Sequence, residues 1–172
     1  MNSSRRKFIK KTALALATTS LASTRSLFAG KPGQELVGLQ LYSVRDEMKI
    51  DPLGTLKQLS AMGYKYVEHA NYVDRKFYGY GAKEFKKILD DLGMEMPSGH
   101  TVLGSKHWDV TKKDFTDVWK YTVEDAAIAG QQFVISPSLE KEYWKTGDAL
   151  KGFMDVFNKS GALCKKSGMK FG

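Results

Sequence analysis

The sequence has few of the residues that form cross-links. Cys164 is the single cysteine among 172 residues, which excludes an internal disulfide. It falls within a predicted helix, where we expect it to be a small buried apolar side chain. Hydrophobic residues make up 42% of the chain and charged residues 27%. This composition excludes disordered and fibrous proteins and is sufficient for one globular domain with a sizeable core.

Acidic residues are absent from the first 29 positions, which carry six lysines and arginines. The whole chain has a net charge of +8, so about +2 remains for all later residues. The basic excess therefore belongs mostly to this leader and does not indicate a nucleic-acid-binding face. We expect no nucleic-acid partner.

Residues 1–29 are predicted to be an export signal. The stretch SRRKFIK, Ser4 to Lys10, precedes a mildly apolar run from Thr12 to Ala22, which is typical of a twin-arginine signal. A run of roughly 11 weakly apolar residues is too short to span a bilayer, and no lipid-attachment cysteine lies near its end. We expect cleavage near Ala29, a periplasmic location and no stable membrane anchor afterwards. A basic amphipathic first helix is the alternative.

One pattern recurs four times after residue 30: an amphipathic helical stretch, a glycine and a short apolar strand. Each glycine suits the left-handed position that closes a helix; the four are Gly63, Gly93, Gly130 and Gly168. The predicted strands are Glu35–Val44, Tyr64–Ala70, Met94–His100, Gln131–Ser138 and Met169–Gly172.

Apolar spacing predicts the intervening helices. The first begins at Asp51-Pro52, a capping residue followed by a proline at the first helical position. The third begins near Thr111 or Asp114 and ends at Gly130. The residues predicted to face inward in these two helices are Leu53, Leu56, Leu59 and Met62 in the first, and Phe115, Val118, Trp119 and Val123 in the third.

Strands that alternate with helices favour a parallel sheet with right-handed crossovers. A doubly wound, flavodoxin-like sheet of five strands is complete at this length, whereas a (β/α)8 TIM barrel needs about 250 residues. The segment YSVRDEM after the first strand contains no glycine, which argues against a dinucleotide-binding loop. The chain stops with a fifth strand barely begun, which favours a barrel truncated after about strand five.

Three stretches closely resemble the sugar phosphate isomerase/epimerase family: LQLYSVRD, GYKYVE and PSGH in the first three strands. The resemblance covers about residues 35–172 and implies a xylose-isomerase-like barrel, of which residues 30–172 are the amino-terminal part. Relatives include inosose dehydratases, ketose 3-epimerases and, more remotely, endonuclease IV. A full-length member would be longer, this chain being about 60% of it.

The resemblance implies metal-assisted proton transfer beside a sugar carbonyl. Family members bind a divalent metal, here expected to be Mn²⁺, Mg²⁺, Co²⁺ or Zn²⁺, through side chains at the ends of strands five to eight. A carboxylate then moves a proton between carbons. Because those strands are incomplete or absent here, we assign no metal ligand to this chain and expect the fragment alone to be inactive.

Two other functions stay open. One is a non-catalytic carbohydrate-binding or assembly half-barrel, which pairs with a second half or with itself through its open sheet edges. The more remote one is an endonuclease IV-like, metal-dependent phosphodiesterase, which the charge of about +2 after the leader does not favour.

Glu68 and His100 are the predicted catalytic residues, at the ends of strands two and three, where barrels of this kind place their sites. An imidazole at this position suits donation to a developing alkoxide. Gly99 is expected to leave room for a ligand, and Pro97 to mark a bulge that turns His100 inward. His69, adjacent to Glu68, is expected to face the helices.

Three tyrosines, Tyr42, Tyr78 and Tyr80, are predicted to bind the substrate by stacking on a sugar ring, with loop packing as the alternative. Arg45 and Lys106 are candidates for neutralising an acidic group, although lone loop cations are usually solvated. The run His107-Trp108-Asp109 is not assigned a catalytic role. The export route favours a free or oxidised sugar over a phosphorylated one.

Overall fold

The computed structural model describes residues 38–172; the predicted signal at residues 1–29 lies outside this range. The strands in chain order are β1 (Gly38–Gln40), β2 (Tyr66–His69), β3 (Tyr72–Val73), β4 (Lys76–Phe77), β5 (Tyr80–Gly81), β6 (Glu95–His100), β7 (Trp108–Asp109), β8 (Asp114–Phe115), β9 (Phe133–Ile135) and β10 (Lys170–Phe171). The α-helices are α1 (Arg45–Ile50), α2 (Pro52–Ala61), α3 (Ala82–Asp91), α4 (Asp117–Ile128) and α5 (Gly147–Lys166). Short 3-10 helices span Leu41–Val44, Ser105–His107 and Lys141–Trp144.

The main sheet has five strands in the order β1-β2-β6-β9-β10, and every neighbouring pair is parallel. Each new strand is therefore added to the same edge of the sheet. A doubly wound sheet reverses its strand order part-way, so the flavodoxin-like alternative is wrong. Winding in one direction produces the opening arc of a (β/α)8 barrel.

The hydrophobic core lies between the sheet and the helices. Val67 and Met96, on β2 and β6, belong to one buried cluster with Leu56 of α2 and Phe85 of α3. A second cluster joins β9 to α4 and α5 through Val134, Trp119, Phe153 and the buried Cys164. Burial of Cys164 confirms the sequence prediction, and it raises the pKa of the thiol to about 11. Within residues 38–172, no helix is both long and apolar enough to cross a membrane.

The four helix-closing glycines are confirmed. Their φ angles are +94° at Gly63, +64° at Gly93, +85° at Gly130 and +76° at Gly168. A residue with a side chain is strained at such angles. Each repeat therefore needs a glycine at the position that closes its helix.

The first predicted strand is too long. Pairing ends at Gln40, and Leu41–Val44 form a 3-10 turn that leads into α1. Helix α1 was not predicted; Asp46 and Glu47 in its first turn complement the positive helix end. The predicted start of α2 is confirmed, since the Asp51 carboxylate accepts a hydrogen bond from the Gly54 N–H at 2.9 Å.

The predicted start of the third helix, near Thr111 or Asp114, is wrong because α4 begins at Asp117. Thr111 lies in the turn of the β7–β8 hairpin, where its N–H donates to the Asp109 carboxylate at 2.9 Å. Two residues predicted to face inward are exposed: Met62 is 70% and Val118 is 52% accessible. Trp119 and Val123 are buried as predicted, as is Phe115, which lies on β8.

Replacing Gly93 and Gly152 by alanine is expected to change stability in opposite directions. Neither glycine has an atom within 4 Å of an added Cβ, so backbone conformation alone decides the sign. Gly93→Ala, at positive φ, should cost about 1–2 kcal/mol. Gly152→Ala, inside α5, should add up to about 1 kcal/mol. Urea unfolding of both variants measures this difference, and equal effects would contradict the backbone assigned here.

Candidate active site

A register shift between β2 and β6 determines which side chains face the inside of the arc. Tyr66 pairs with Glu95, but Glu68 pairs with Ser98, so β6 contains one residue more than β2 in this interval. The extra residue falls in the Met96-Pro97 pair. A bulge suits Pro97 because proline has no N–H to donate to the ladder. The Pro97 carbonyl still accepts a hydrogen bond from the Gln132 N–H at 2.7 Å. The predicted bulge is confirmed.

The bulge reverses the side-chain alternation that follows it. Because side chains alternate between the two faces of a strand, one extra residue places Ser98 and His100 on the same face as Glu68. Gly99 then falls on the face of His69, its partner in β2. The candidate residue His100 therefore points to the inside of the arc because of this irregularity.

Four polar side chains meet on that inner face, and we call them the polar tetrad: Gln40 of β1, Glu68 of β2, and Ser98 and His100 of β6. The Gln40 amide donates to Glu68 Oε1 at 2.5 Å, and the Ser98 hydroxyl donates to Glu68 Oε2. His100 Nε2 lies 3.1 Å from Glu68 Oε1. The side chains of Glu68 and His100 are about one-quarter exposed, at 24% and 26%, so both are accessible to a ligand.

The structure brings together the two predicted catalytic residues and adds two that the sequence analysis missed. Gln40 lies opposite Glu68 in the parallel ladder, and Ser98 lies opposite it on the other side. Strand alternation was available in the sequence as a signal for Gln40. Ser98 required the exact position of the bulge, which sequence alone does not determine.

His69 occupies the opposite face, as predicted, and is 1% exposed. Its ring packs edge-on against Phe77, with the ring centroids 4.8 Å apart, and its Nδ1 atom has no hydrogen-bond partner. Burial, and secondarily the nearby His100, lower the pKa of His69 to about 3. His69 is therefore a neutral core residue at pH 7.

Gly99 has a different role from the one predicted. A Cβ at this position would overlap the His69 ring on the helix-facing side of the sheet. The expectation that Gly99 leaves space for a ligand is therefore wrong, because the space is filled by the imidazole of His69.

A cleft of about 630 Å³ opens beside His100, between the segment after β2 and the segment after β6. Its lining includes Tyr72, Arg75, Thr101 and Lys106. Lys106, a candidate anion-binding residue, is thus placed near His100, whereas Arg45 lies at a separate cavity.

One wall of the cleft is held by an ion pair between the hairpin after β2 and helix α4. Arg75 binds the carboxylate of Asp125 with two hydrogen bonds, of 2.9 and 2.7 Å, and also contacts Glu124 at 2.8 Å. Tyr72 donates to the same Asp125 carboxylate at 2.6 Å, and the Arg75 guanidinium lies 4.2 Å from the ring centre of Tyr121. Hydrogen bonding to Asp125 raises the pKa of Arg75. These contacts hold the wall in place, and the charge of Arg75 is balanced by the carboxylates of Asp125 and Glu124.

The His107 imidazole is buried and packed against its neighbours. Its Nδ1 accepts a hydrogen bond from the Gly104 N–H at 2.9 Å, and its ring packs on Trp119 with centroids 5.0 Å apart. Burial, and then the charge of Lys106, lower the pKa of His107 to about 4. This neutral, packed imidazole is consistent with leaving His107 out of the catalytic set.

Of the three tyrosines predicted to bind substrate, Tyr42 and Tyr78 line one cavity, and Tyr80 is not among its lining residues. Tyr42 lies in the turn after β1, 57% exposed, and shares a cavity of about 420 Å³ with Arg45 and Tyr78. The Tyr78 hydroxyl accepts from the Ala70 N–H at 3.0 Å, and burial raises its pKa to about 12. Tyr80 stacks near Phe85 at 6.5 Å between centroids. Sugar stacking by these side chains stays a prediction.

Metal-ligating side chains do not converge in the part of the chain that the structure describes. No group of three or more His, Cys, Asp or Glu residues there is arranged to hold a metal ion. The tetrad contributes one carboxylate and one imidazole, both already engaged with each other.

Neither a protein-family profile nor a curated protein matches the chain. Among solved structures, a sugar phosphate isomerase/epimerase from Parabacteroides distasonis matches with a TM-score of 0.67 at 25% identity, over 84% of this chain and 53% of that one. A second such protein from the same organism gives 0.64 at 27% identity, over 78% and 52%. A xylose isomerase domain-containing protein from Salmonella typhimurium gives 0.55 at 12% identity, over 83% and 50%, which shows the fold alone.

The strand order and these likenesses define the fold class as a xylose-isomerase-like TIM barrel, of which the described residues form five strands. Its neighbours at 25% and 27% identity are both sugar phosphate isomerases/epimerases. The chain spans about half the length of these structures.

Gly99→Ala is expected to destabilise the fold by about 1–3 kcal/mol, because the new methyl group must displace the buried His69 ring. Gly161→Ala, inside α5 with open space around an added Cβ, is the control and should not destabilise the fold. Urea unfolding provides both values. A neutral Gly99→Ala variant would show that His69 does not pack over Gly99.

Proposed function

We propose that this chain supplies the first half of the substrate site of a sugar isomerase or epimerase, which moves a proton beside a sugar carbonyl. The observation that carries the proposal is the contact between Glu68 and His100 inside the arc. A carboxylate and an imidazole at the carboxyl ends of adjacent barrel strands are suited to hydrogen bonding and proton exchange with sugar hydroxyls.

Two further observations support the proposal. The structures at 25% and 27% identity are sugar phosphate isomerases/epimerases by name, and the cleft of about 630 Å³ gives a ligand access to His100. Of the lysine and arginine side chains that line this cleft, Arg75 and Lys106, Arg75 is paired with Asp125 and Glu124, which agrees with the preference for a free or oxidised sugar over a phosphorylated one.

A divalent cation, Mn²⁺, Mg²⁺, Co²⁺ or Zn²⁺, is part of the proposal for a full-length member. The described residues do not fit such an ion, since no three potential ligands converge. We therefore assign to this chain only the binding and orientation of the sugar, and we expect little or no turnover from the chain alone.

Titration of the isotope-labelled chain with D-fructose, D-glucose and D-glucose 6-phosphate tests sugar binding. We expect amide NMR signals of Glu68, Ser98 and Thr101 to shift with a free sugar, because these residues surround the tetrad and the cleft. His100→Leu should weaken the binding at least about tenfold, because it removes the hydrogen bonds that the imidazole makes to the sugar. Lys83→Gln, on the exposed surface of α3, is the control and should bind normally.

Shifts confined to other parts of the chain, or none with any sugar, would contradict the proposed site. Tight stoichiometric metal binding accompanied by sugar turnover, measured by NMR with Mn²⁺, Mg²⁺, Co²⁺ or Zn²⁺ added, would contradict the assignment of the metal centre to residues outside this chain.

We also propose that residues 1–29 direct export to the periplasm by the twin-arginine route, on the strength of the SRRKFIK stretch. Changing both Arg5 and Arg6 to lysine preserves the charge and is expected to retain the chain in the cytoplasm. Fractionation of expressing cells measures this, with Lys10→Arg as a control that should be exported normally. Equal export of the double variant would contradict the twin-arginine route.

A further inference from the structure

The cleft beside His100 brings together exposed apolar side chains. Ten large hydrophobic side chains are exposed in the part of the chain that the structure describes, and four of them line this one cleft: Val73, Val102, Val118 and Tyr121. Single exposed apolar side chains are common on protein surfaces, whereas several around one concave cavity are typical of a ligand site. We call these four residues the apolar patch.

Three separate elements contribute to the apolar patch. Val73 ends β3, Val102 follows His100 by two residues, and Val118 and Tyr121 lie three residues apart on α4. Residues with this spacing share one face of a helix, and the exposure of both shows that this face of α4 points away from the hydrophobic core. Val118, which the sequence predicted to face inward, therefore faces the cleft.

Hydrogen bonds hold the backbone on both sides of Val102. The Thr101 N–H donates to the Ile135 carbonyl at 2.8 Å, and the Leu103 N–H donates to the Ser136 hydroxyl at 3.0 Å. These bonds fix the segment that connects the apolar patch to the polar tetrad. A ligand that contacts both therefore meets surfaces that are already ordered, which lowers the entropic cost of binding.

The charged side chains around the cleft balance one another. Asp74 and Glu140 are acidic, and Arg75 and Lys106 are basic, so their formal charges cancel. A cleft with this balance attracts neither an anionic nor a cationic group over its whole length. The apolar patch therefore suits an uncharged group.

The cleft has room for more than one sugar ring. Its volume of about 630 Å³ is typical of sites for drug-sized molecules, and His100 lines the same cavity as the apolar patch. A sugar ring bound at the polar tetrad therefore leaves space along the patch for a second group attached to it. Three of the four patch residues are valines, which offer no side-chain hydrogen bonds, so burying the hydroxyl groups of a second sugar against them is unfavourable.

We propose that the apolar patch binds an uncharged aromatic group attached to the sugar, so that the ligand of this site is an aryl glycoside. This inference rests on the proposed function and adds the substrate class to it. The sugar ring lies against the polar tetrad, and the flat apolar faces of the aromatic group contact Val102, Val118 and Tyr121.

The chemistry of a glycoside also specifies which carbonyl takes part in the proposed reaction. The anomeric carbon of a glycoside is substituted and carries no free carbonyl. The carbonyl beside which the proton moves is therefore a ketone elsewhere in the ring. This agrees with the preference for an oxidised sugar, and it means that the reaction supplying the substrate is an oxidation of a ring hydroxyl.

NMR titration of the isotope-labelled full chain with phenyl β-D-glucopyranoside and methyl β-D-glucopyranoside tests the inference. The two ligands share the sugar ring and differ in the attached group, and both lack the ring ketone, so binding is measured without turnover. We expect the phenyl glycoside to bind at least about tenfold more tightly, because it buries an aromatic ring. Cellobiose, which carries a second sugar ring, should bind no more tightly than the methyl glycoside.

Val118→Ser removes apolar surface from the patch. It should reduce the advantage of the phenyl glycoside several-fold and leave the affinity for the methyl glycoside unchanged. Val110→Ser is the matched control, since Val110 is also exposed but lines a separate cavity, and it should retain the full advantage. The amide spectrum shows whether each variant is folded. If Val118→Ser does not fold, Val73→Ser provides the same test from the hairpin.

Equal affinities for the phenyl and methyl glycosides, or a preference for cellobiose, would overturn the inference and leave the proposed function intact. A phenyl preference that Val110→Ser removes and Val118→Ser does not would assign the aromatic group to another cavity and would also overturn the inference. If the preference depends on Val118 but the amide signals of Glu68 and Ser98 shift with neither glycoside, the apolar patch stands as an aromatic-binding surface and the proposed sugar site is contradicted.

Discussion

One extra residue in β6, in the Met96-Pro97 pair, is the constraint on which the arrangement of the candidate site depends. Without it, strand alternation would turn His100 toward the helices and Gly99 toward the inside of the arc. With it, His100 meets Glu68 at 3.1 Å, and Gly99 lies under the ring of His69. A local irregularity at a proline thus separates an accessible imidazole from a buried one on adjacent strands.

The two faces of the sheet show how environment gives the same side chain different properties. On the helix-facing side, burial lowers the pKa of His69 to about 3, and its ring serves as packing material against Phe77. On the inner side, His100 has a carboxylate partner and a cleft in front of it. The ion pair of Arg75 with Asp125 fixes the cleft wall, so the site is assembled from rigid strands and a fastened hairpin.

Sequence reasoning predicted the features that are repeated or local. The helix-closing glycines, the cap at Asp51, the bulge at Pro97 and the opposite directions of Glu68 and His69 are each fixed by a few neighbouring residues. It failed where a local turn was not recognised and where contacts between residues distant in sequence determine the structure. The helix predicted to start near Thr111 or Asp114 starts later, because these residues belong to the β7–β8 hairpin, where Asp109 accepts a hydrogen bond from the Thr111 N–H. Ser98 entered the site only through the exact register, and the space beside Gly99 was taken by a residue 30 positions earlier.

The most direct measurement of this account is the set of proton–proton distances around the two histidines in solution, obtained from nuclear Overhauser effects. The account predicts that ring protons of His100 lie close to the side-chain amide of Gln40, and that those of His69 lie close to Phe77 and to the α-protons of Gly99. The reverse pattern, with His100 near Phe77, would show that β6 lacks the bulge and would contradict the site built on it.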